Sequence, residues 1–115
     1  KNLIPLLKES VSSSIIFTSS GVGRIGRAYW GAYSISKFAT EAMMQILFDE
    51  LQNTSSIRVN CINPGAVKTK MRESAYPAEN PDSNPSAFEI MNPYLYLMSD
   101  LSKDINGQSI DAQEH

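Results

Sequence analysis

Ser20, Tyr33 and Lys37 are the residues of this chain whose types and spacing could do chemistry. The serine closes an apolar run, and a Tyr-x-x-x-Lys pair follows thirteen residues later. Residues four apart on a helix are neighbours, with Cβ atoms about 5 to 6 Å apart, so a helical Lys37 would bring its ammonium close to the Tyr33 phenol. A phenol with an ordinary pKa near 10 exchanges protons poorly at neutral pH; a nearby cation stabilises the phenolate and makes it a usable acid and base. A carbonyl oxygen that gains negative charge as hydride arrives at its carbon needs a proton, here from Tyr33, and a hydrogen bond, here from the Ser20 hydroxyl. The same groups run in reverse when an alcohol is oxidised. A lone Tyr-x-x-x-Lys arises by chance about 0.2 times in a chain of this length, so the weight rests on its setting.

That setting is a strand, a loop and a helix. Ile15, Ile16 and Phe17 form a short apolar run of the kind that makes a strand buried on both faces. Gly21, Gly23, Gly26 and Gly31 mark an irregular loop, and from about Ala32 the apolar residues Ile35, Phe38, Ala39, Ala42, Met43, Ile46 and Leu47 recur at helical spacing. Polar residues 53–56 end that helix, and residues 57–63 read as a second strand, stopped by Pro64 and Gly65. A strand, a long helix and a strand imply a parallel βαβ unit and an α/β fold. Further on, prolines 77, 81 and 85 make residues 76–85 a loop. Ser86 and Glu89 form a capping box that starts a helix, which Pro93 should kink or restart. Asn106 and Gly107 form a turn before a last short strand over residues 108–112. At the other end, NLIPLLK resembles the last turns of a helix already under way.

Composition sets the bounds. The 115 residues suffice for one domain or part of one, and 42% apolar residues, 19% charged residues and a net charge of -2 exclude a disordered chain and give no basic surface for nucleic acid. No apolar stretch approaches the roughly 18 residues of a membrane span, and no signal-peptide pattern opens the chain, so a cytoplasmic location is expected. The single Cys61 has no disulfide partner and is expected to be a buried, inert thiol. One cysteine and one histidine, His115, are too few for a metal site. The sequon at residues 53–55 reads as a polar turn.

Gly21, Gly23 and Gly26 also spell G-x-G-x-x-G after a strand. A pyrophosphate site of that type needs a helix opening at the glycines and an acidic residue ending the next strand. The long helix begins later and the next strand ends in Asn63, so these glycines are expected to turn the loop and leave room for substrate.

Taken together, these segments resemble the C-terminal half of a short-chain dehydrogenase/reductase, over nearly all 115 residues. The resemblance rests on Ser20, Tyr33 and Lys37, on the family's Pro-Gly-x-x-x-Thr as Pro64, Gly65 and Thr69 behind RVNCINPG, and on LYLMSD and NGQSIDAQ near the end. Within the family, VGRxGRAxWGAY and SKFATE resemble a bacterial oxidoreductase subgroup. The resemblance implies a Rossmann-type doubly wound parallel sheet, with residues 1–115 the C-terminal portion of a single NAD(P)-binding domain. It implies hydride transfer between nicotinamide and a carbonyl or secondary alcohol, using NAD or NADP with NADP slightly favoured. By the same likeness Tyr33 and Lys37 also contact the cofactor, Lys37 at the nicotinamide ribose, while the turn from Pro64 through Gly65 and Val67 to Thr69 holds the nicotinamide. The implied phosphate loop, the NAD or NADP selector and the tetrad asparagine would lie upstream of Lys1; Asn2 is not placed to replace that asparagine. The resemblance further implies a homodimer or homotetramer through the Tyr33 helix, and a substrate lid over residues 71–85, with Trp30, Tyr76 and Met91 lining an apolar pocket. Two other readings stand beside this one: a non-catalytic interaction fragment, and an epimerase or dehydratase built on the same tyrosine and lysine.

Overall fold

The computed structural model describes residues 3–113; Asn2 and His115 lie outside them. Three parallel strands form one sheet in the order β1-β2-β3: β1 is Ser13–Thr18, β2 is Ile57–Asn63 and β3 is Ser109–Asp111. Among the described residues four α-helices accompany them, α1 (Ile4–Glu9), α2 (Gly31–Leu51), α3 (Lys70–Ala75) and α4 (Met91–Met98). The expected βαβ unit is therefore β1-α2-β2, and the fold is α/β with a parallel sheet. No described helix is long and apolar enough to cross a membrane.

β2 is the centre of the molecule because its alternation serves both faces. Successive side chains on a strand point to opposite sides. Ile57, Val59 and Cys61 pack with Met44 and Leu51 of α2 in the apolar core. Arg58 and Asn60 on the other face are also buried, and each is satisfied: Arg58 donates to the Ser102 carbonyl and hydroxyl at 2.8 and 2.6 Å, and Asn60 donates to Ile105 O and accepts from Gln108 N. These bonds hold residues 99–108 against β2 and deliver β3 to its edge. On that same face α4 reaches β1, where the Ser14 hydroxyl donates to Leu97 O. Helices thus cover both sides of the sheet.

Four expectations change. β1 is only half buried rather than buried on both faces, since among the described residues it pairs with β2 alone. Lys70–Ala75 is a helix where the segment expected as a lid over residues 71–85 begins; Thr69 starts it by accepting a hydrogen bond from Arg72 N at 3.2 Å. Ser86 does accept from Glu89 N at 3.3 Å, but residues 87–90 are a turn and the helix begins at Met91. Pro93 then falls in the first turn, where its missing N–H costs nothing, so the helix runs through it.

The structure also decides which way α2 faces. Its inward stripe is Ser34, Lys37, Glu41, Met44, Phe48 and Leu51, with Ser34, Glu41, Met44 and Leu51 buried. The apolar residues that announced the helix, Ile35, Phe38, Met43 and Ile46, face outward and are exposed, Ile35 by 71%. The helix carries a mixed polar face toward its own sheet and an apolar face away from it.

Candidate active site at the carboxyl edge of the sheet

The Gly21–Gly23 turn that follows β1 is a single 3-10 turn, and α2 opens only at Gly31. No helix begins at the glycines, as the spacing required. The turn is fixed by its own polar groups. The Ser20 hydroxyl accepts from Val22 N at 3.4 Å, a contact that leaves its hydrogen to donate, and Ser34 Oγ donates to Val22 O. Gly23 is buried where the loop meets the helix: a Cβ there would stand 2.9 Å from Lys37 Cβ and 2.9 Å from Ser19 Oγ. Only glycine fits, and at Gly23 the space is filled by packing rather than left open for substrate, contrary to expectation.

Tyr33 and Lys37 meet as their spacing predicts. Lys37 Nζ lies over the Tyr33 ring, 5.5 Å from its centroid, and donates to Thr18 O at 3.2 Å. The last carbonyl of β1 therefore anchors the ammonium beside the phenol. Tyr33 is 37% exposed and meets the Trp30 ring at a tilt of 55°, with centroids 5.9 Å apart. Ser20 lies two residues beyond Thr18, on the strand end that holds Lys37.

The turn after β2 adjoins this group. Thr18 is in register with Ile62, and Ser19 N donates to Ile62 O at 2.7 Å, so Pro64 emerges beside the Ser20 loop. Gly65 has φ +74, a left-handed conformation that favours glycine. Its N–H donates to Asn63 Oδ1 at 3.0 Å, and Gln113 Nε2 donates to Pro64 O and Ala66 O at 2.6 and 2.8 Å. Val67 is half buried and Thr69 exposed. Ser20 follows the carboxyl end of β1, which also anchors Lys37, and Pro64 and Gly65 follow the carboxyl end of β2, the edge at which open α/β sheets bind ligands.

Residues 70–84 form an organised flap. Arg72 makes a two-pronged pair with Glu79 at 3.0 and 2.8 Å while lying 3.8 Å over the Tyr76 ring, and Lys68 pairs with Asp82 at 2.7 Å. The hydrogen bonds from Arg72 and then Asn84 hold the Glu79 carboxyl below its ordinary pKa. Tyr76 in turn meets Trp30 at 6.2 Å, which joins the flap to the Tyr33 helix. A cavity of about 220 Å³ under the flap is lined by Thr69, Arg72, Tyr76 and Asn84 among others; Trp30 and Met91 do not line it, and of the expected site residues only Thr69 does.

Sequence reasoning passed over Arg24 and Glu41. Glu41 is 6% exposed on the inner face of α2, one turn beyond Lys37. Burial pushes its carboxyl up, but the hydrogen bond from Ser109 and the charge of Arg24 are among the effects that outweigh it and hold the pKa below its ordinary value. A charged residue one turn after Lys37 in an otherwise apolar pattern was the available signal. Burial first, then the Glu41 carboxylate, pushes the Cys61 thiol up to about 12. Among the described residues, no cluster of three or more His, Cys, Asp or Glu side chains could hold a metal ion.

A parallel sheet flanked by helices, with a Tyr-Lys pair anchored at its carboxyl edge, defines a Rossmann-type α/β protein. The chain belongs to the short chain dehydrogenase family, whose profile matches residues 1–80. It is 55% identical over 111 residues to the "Uncharacterized oxidoreductase YciK" of Escherichia coli (strain K12), covering 96% of this chain and 43% of that protein. The crystal structure of a short chain dehydrogenase from Salmonella enterica serovar Typhi CT18 superposes with TM-score 0.94 at 56% identity, over 97% of this chain and 46% of that one. A protein of Escherichia coli CFT073 complexed with NADPH does so with TM-score 0.92 at 54% identity, over 97% and 46%. The chain thus spans less than half the length of the relatives it matches.

Proposed function

We propose that this chain is the C-terminal part of a single NAD(P)-binding domain, and that the whole protein is an oxidoreductase moving hydride between nicotinamide and a carbonyl or secondary alcohol. The observation that carries this reading is the Lys37 ammonium, fixed by Thr18 O over the Tyr33 ring at the carboxyl edge of the sheet. Tyr33 gives a proton to the carbonyl oxygen in reduction and takes one back in oxidation. Attraction from Lys37 acts on the phenolate oxygen left behind, and the Ser20 hydroxyl, whose hydrogen is not used by its turn, orients the substrate oxygen.

The residues present fit a nicotinamide cofactor: Lys37 offers donors for ribose hydroxyls, and the Pro64, Gly65, Val67, Thr69 turn presents a left-handed backbone beside them. Bound there, nicotinamide supplies or accepts the hydride. The NADPH held by the Escherichia coli relative supports NADP ahead of NAD. The exposed apolar face of α2 supports a homodimer or homotetramer, and the free thiol Cys61 fits a reducing, cytoplasmic compartment.

Tyr33→Phe in the full-length protein tests the reading. Turnover should fall at least about a hundredfold while NADPH binding is kept. A wild-type rate in that variant would refute the assignment, and failure of the wild-type protein to bind NADPH would favour an interaction module built on α2.

A further inference from the structure

Arg24 stands on the loop between Ser20 and Tyr33, and its guanidinium reaches across to β3. Nε donates to Ser109 Oγ at 3.0 Å, and Nη1 donates to Asp111 Oδ1 at 2.8 Å. Ser109 passes the contact on, donating from its hydroxyl to Glu41 Oε2 at 3.1 Å, while Glu41 Oε1 lies 3.9 Å from Arg24 Nε. Asp111 Oδ1 also accepts from Asn63 Nδ2 at 3.1 Å, and Asn63 Oδ1 accepts from Gly65 N at 3.0 Å. One connected set of hydrogen bonds therefore joins the inner face of α2, the loop after Ser20 and the Pro64, Gly65 turn. The Arg24 side chain contacts both Glu41 on α2 and Asp111, which holds the turn through Asn63.

We propose that Arg24 is a positioning residue that locks the Tyr33 and Lys37 helix, the Ser20 loop and the Pro64, Gly65 turn into one arrangement. This rests on the reading of that turn as the seat of the nicotinamide. The guanidinium suits the task because its planar fork satisfies acceptors in two directions at once, which a lysine ammonium on a flexible stem does not. The network reaches the turn read as the seat of the nicotinamide, so its loss should act on the nicotinamide half of the cofactor and not on the adenosine half.

The test uses the full-length protein with Arg24→Met and Asp111→Asn, titrated separately with NADPH and with adenosine 2′,5′-bisphosphate, the cofactor's adenosine half. Each variant should bind NADPH about tenfold more weakly than wild type, the scale of one lost charge-assisted hydrogen bond, and bind the bisphosphate as wild type does. The double variant should be no worse than Arg24→Met alone, because the charge removed by Asp111→Asn acts through Arg24. NADPH affinity unchanged in both variants would overturn the proposal. Equal weakening toward both ligands would also overturn it, since that is the mark of a merely structural residue. Asp111→Asn keeps the side-chain shape, so the comparison survives if Arg24→Met fails to fold. A wild-type protein that binds the bisphosphate but gains nothing from the nicotinamide half would instead refute the reading of the turn itself.

Discussion

Lys37 is left little freedom by its surroundings. Thr18 O holds its ammonium, Gly23 packs on its Cβ, and the Tyr33 ring lies beneath it. Two other titrating side chains lead to predictions at this scale. Cys61 is fully buried and its thiol is pushed up to about 12, so at pH 8 almost no thiolate exists to react. The native protein should resist a thiol reagent that labels it rapidly once unfolded; stoichiometric labelling of the native state would contradict this. Glu41 has a lowered pKa in the fold, so the unfolded chain binds its proton first as pH falls. Its contribution to stability is complete above about 4.5 and is lost as pH drops through the folded value. Glu41→Gln should flatten the dependence of denaturation midpoint on pH in that acid range, and an unaltered slope would show that other carboxylates carry it.

Among elements, α2 and the Gly21–Gly23 turn form the mechanical centre of the site. The turn is buried against the helix at Val22 and Gly23, and Ser34 is bonded to it. Gly23→Ala places a methyl group 2.9 Å from Lys37 Cβ and 3.0 Å from backbone carbon, with little room to relax. Overpacking of this kind costs about 1 to 3 kcal/mol. The variant should melt several degrees lower and lose turnover disproportionately, because the shift falls on Lys37; stability and rate both equal to wild type would exclude the clash. The flap is less dependent on any one residue. Thr69→Ala removes the cap of a six-residue helix that Arg72 and Glu79 still clamp, so a loss of about 1 kcal/mol or less is expected from denaturant titration.

For the whole molecule, two features stand open among the described residues. β1 has one edge unpaired among the described residues, and α2 turns Ile35, Phe38, Met43 and Ile46 to solvent. An unpaired edge and an apolar helix face are both sticky. The 115-residue chain by itself should elute in size-exclusion chromatography well above its 12.7 kDa mass, and Ile35→Lys with Ile46→Lys should lower that apparent size. A monomeric elution of the unaltered chain would show these surfaces to be inert.

Local patterns determined much of this. The β1-α2-β2 unit, the closing turn and strand, the meeting of Tyr33 with Lys37 and the burial of Cys61 follow from periodicity and spacing, which act between neighbours along the chain. Other features needed the tertiary structure. Helical spacing marked an apolar stripe on α2 but could not say which way it faces; that was decided by Ser34, Glu41 and Met44 packing on the sheet. Lys70–Ala75 gave no helical signal in the sequence because its stability comes from a cap and a clamp to Glu79 rather than from an apolar face. Arg24 was invisible for the most general reason: its partners Glu41, Ser109 and Asp111 lie far from it in sequence, and only the folding of α2 and β3 onto β2 brings them within hydrogen-bond reach.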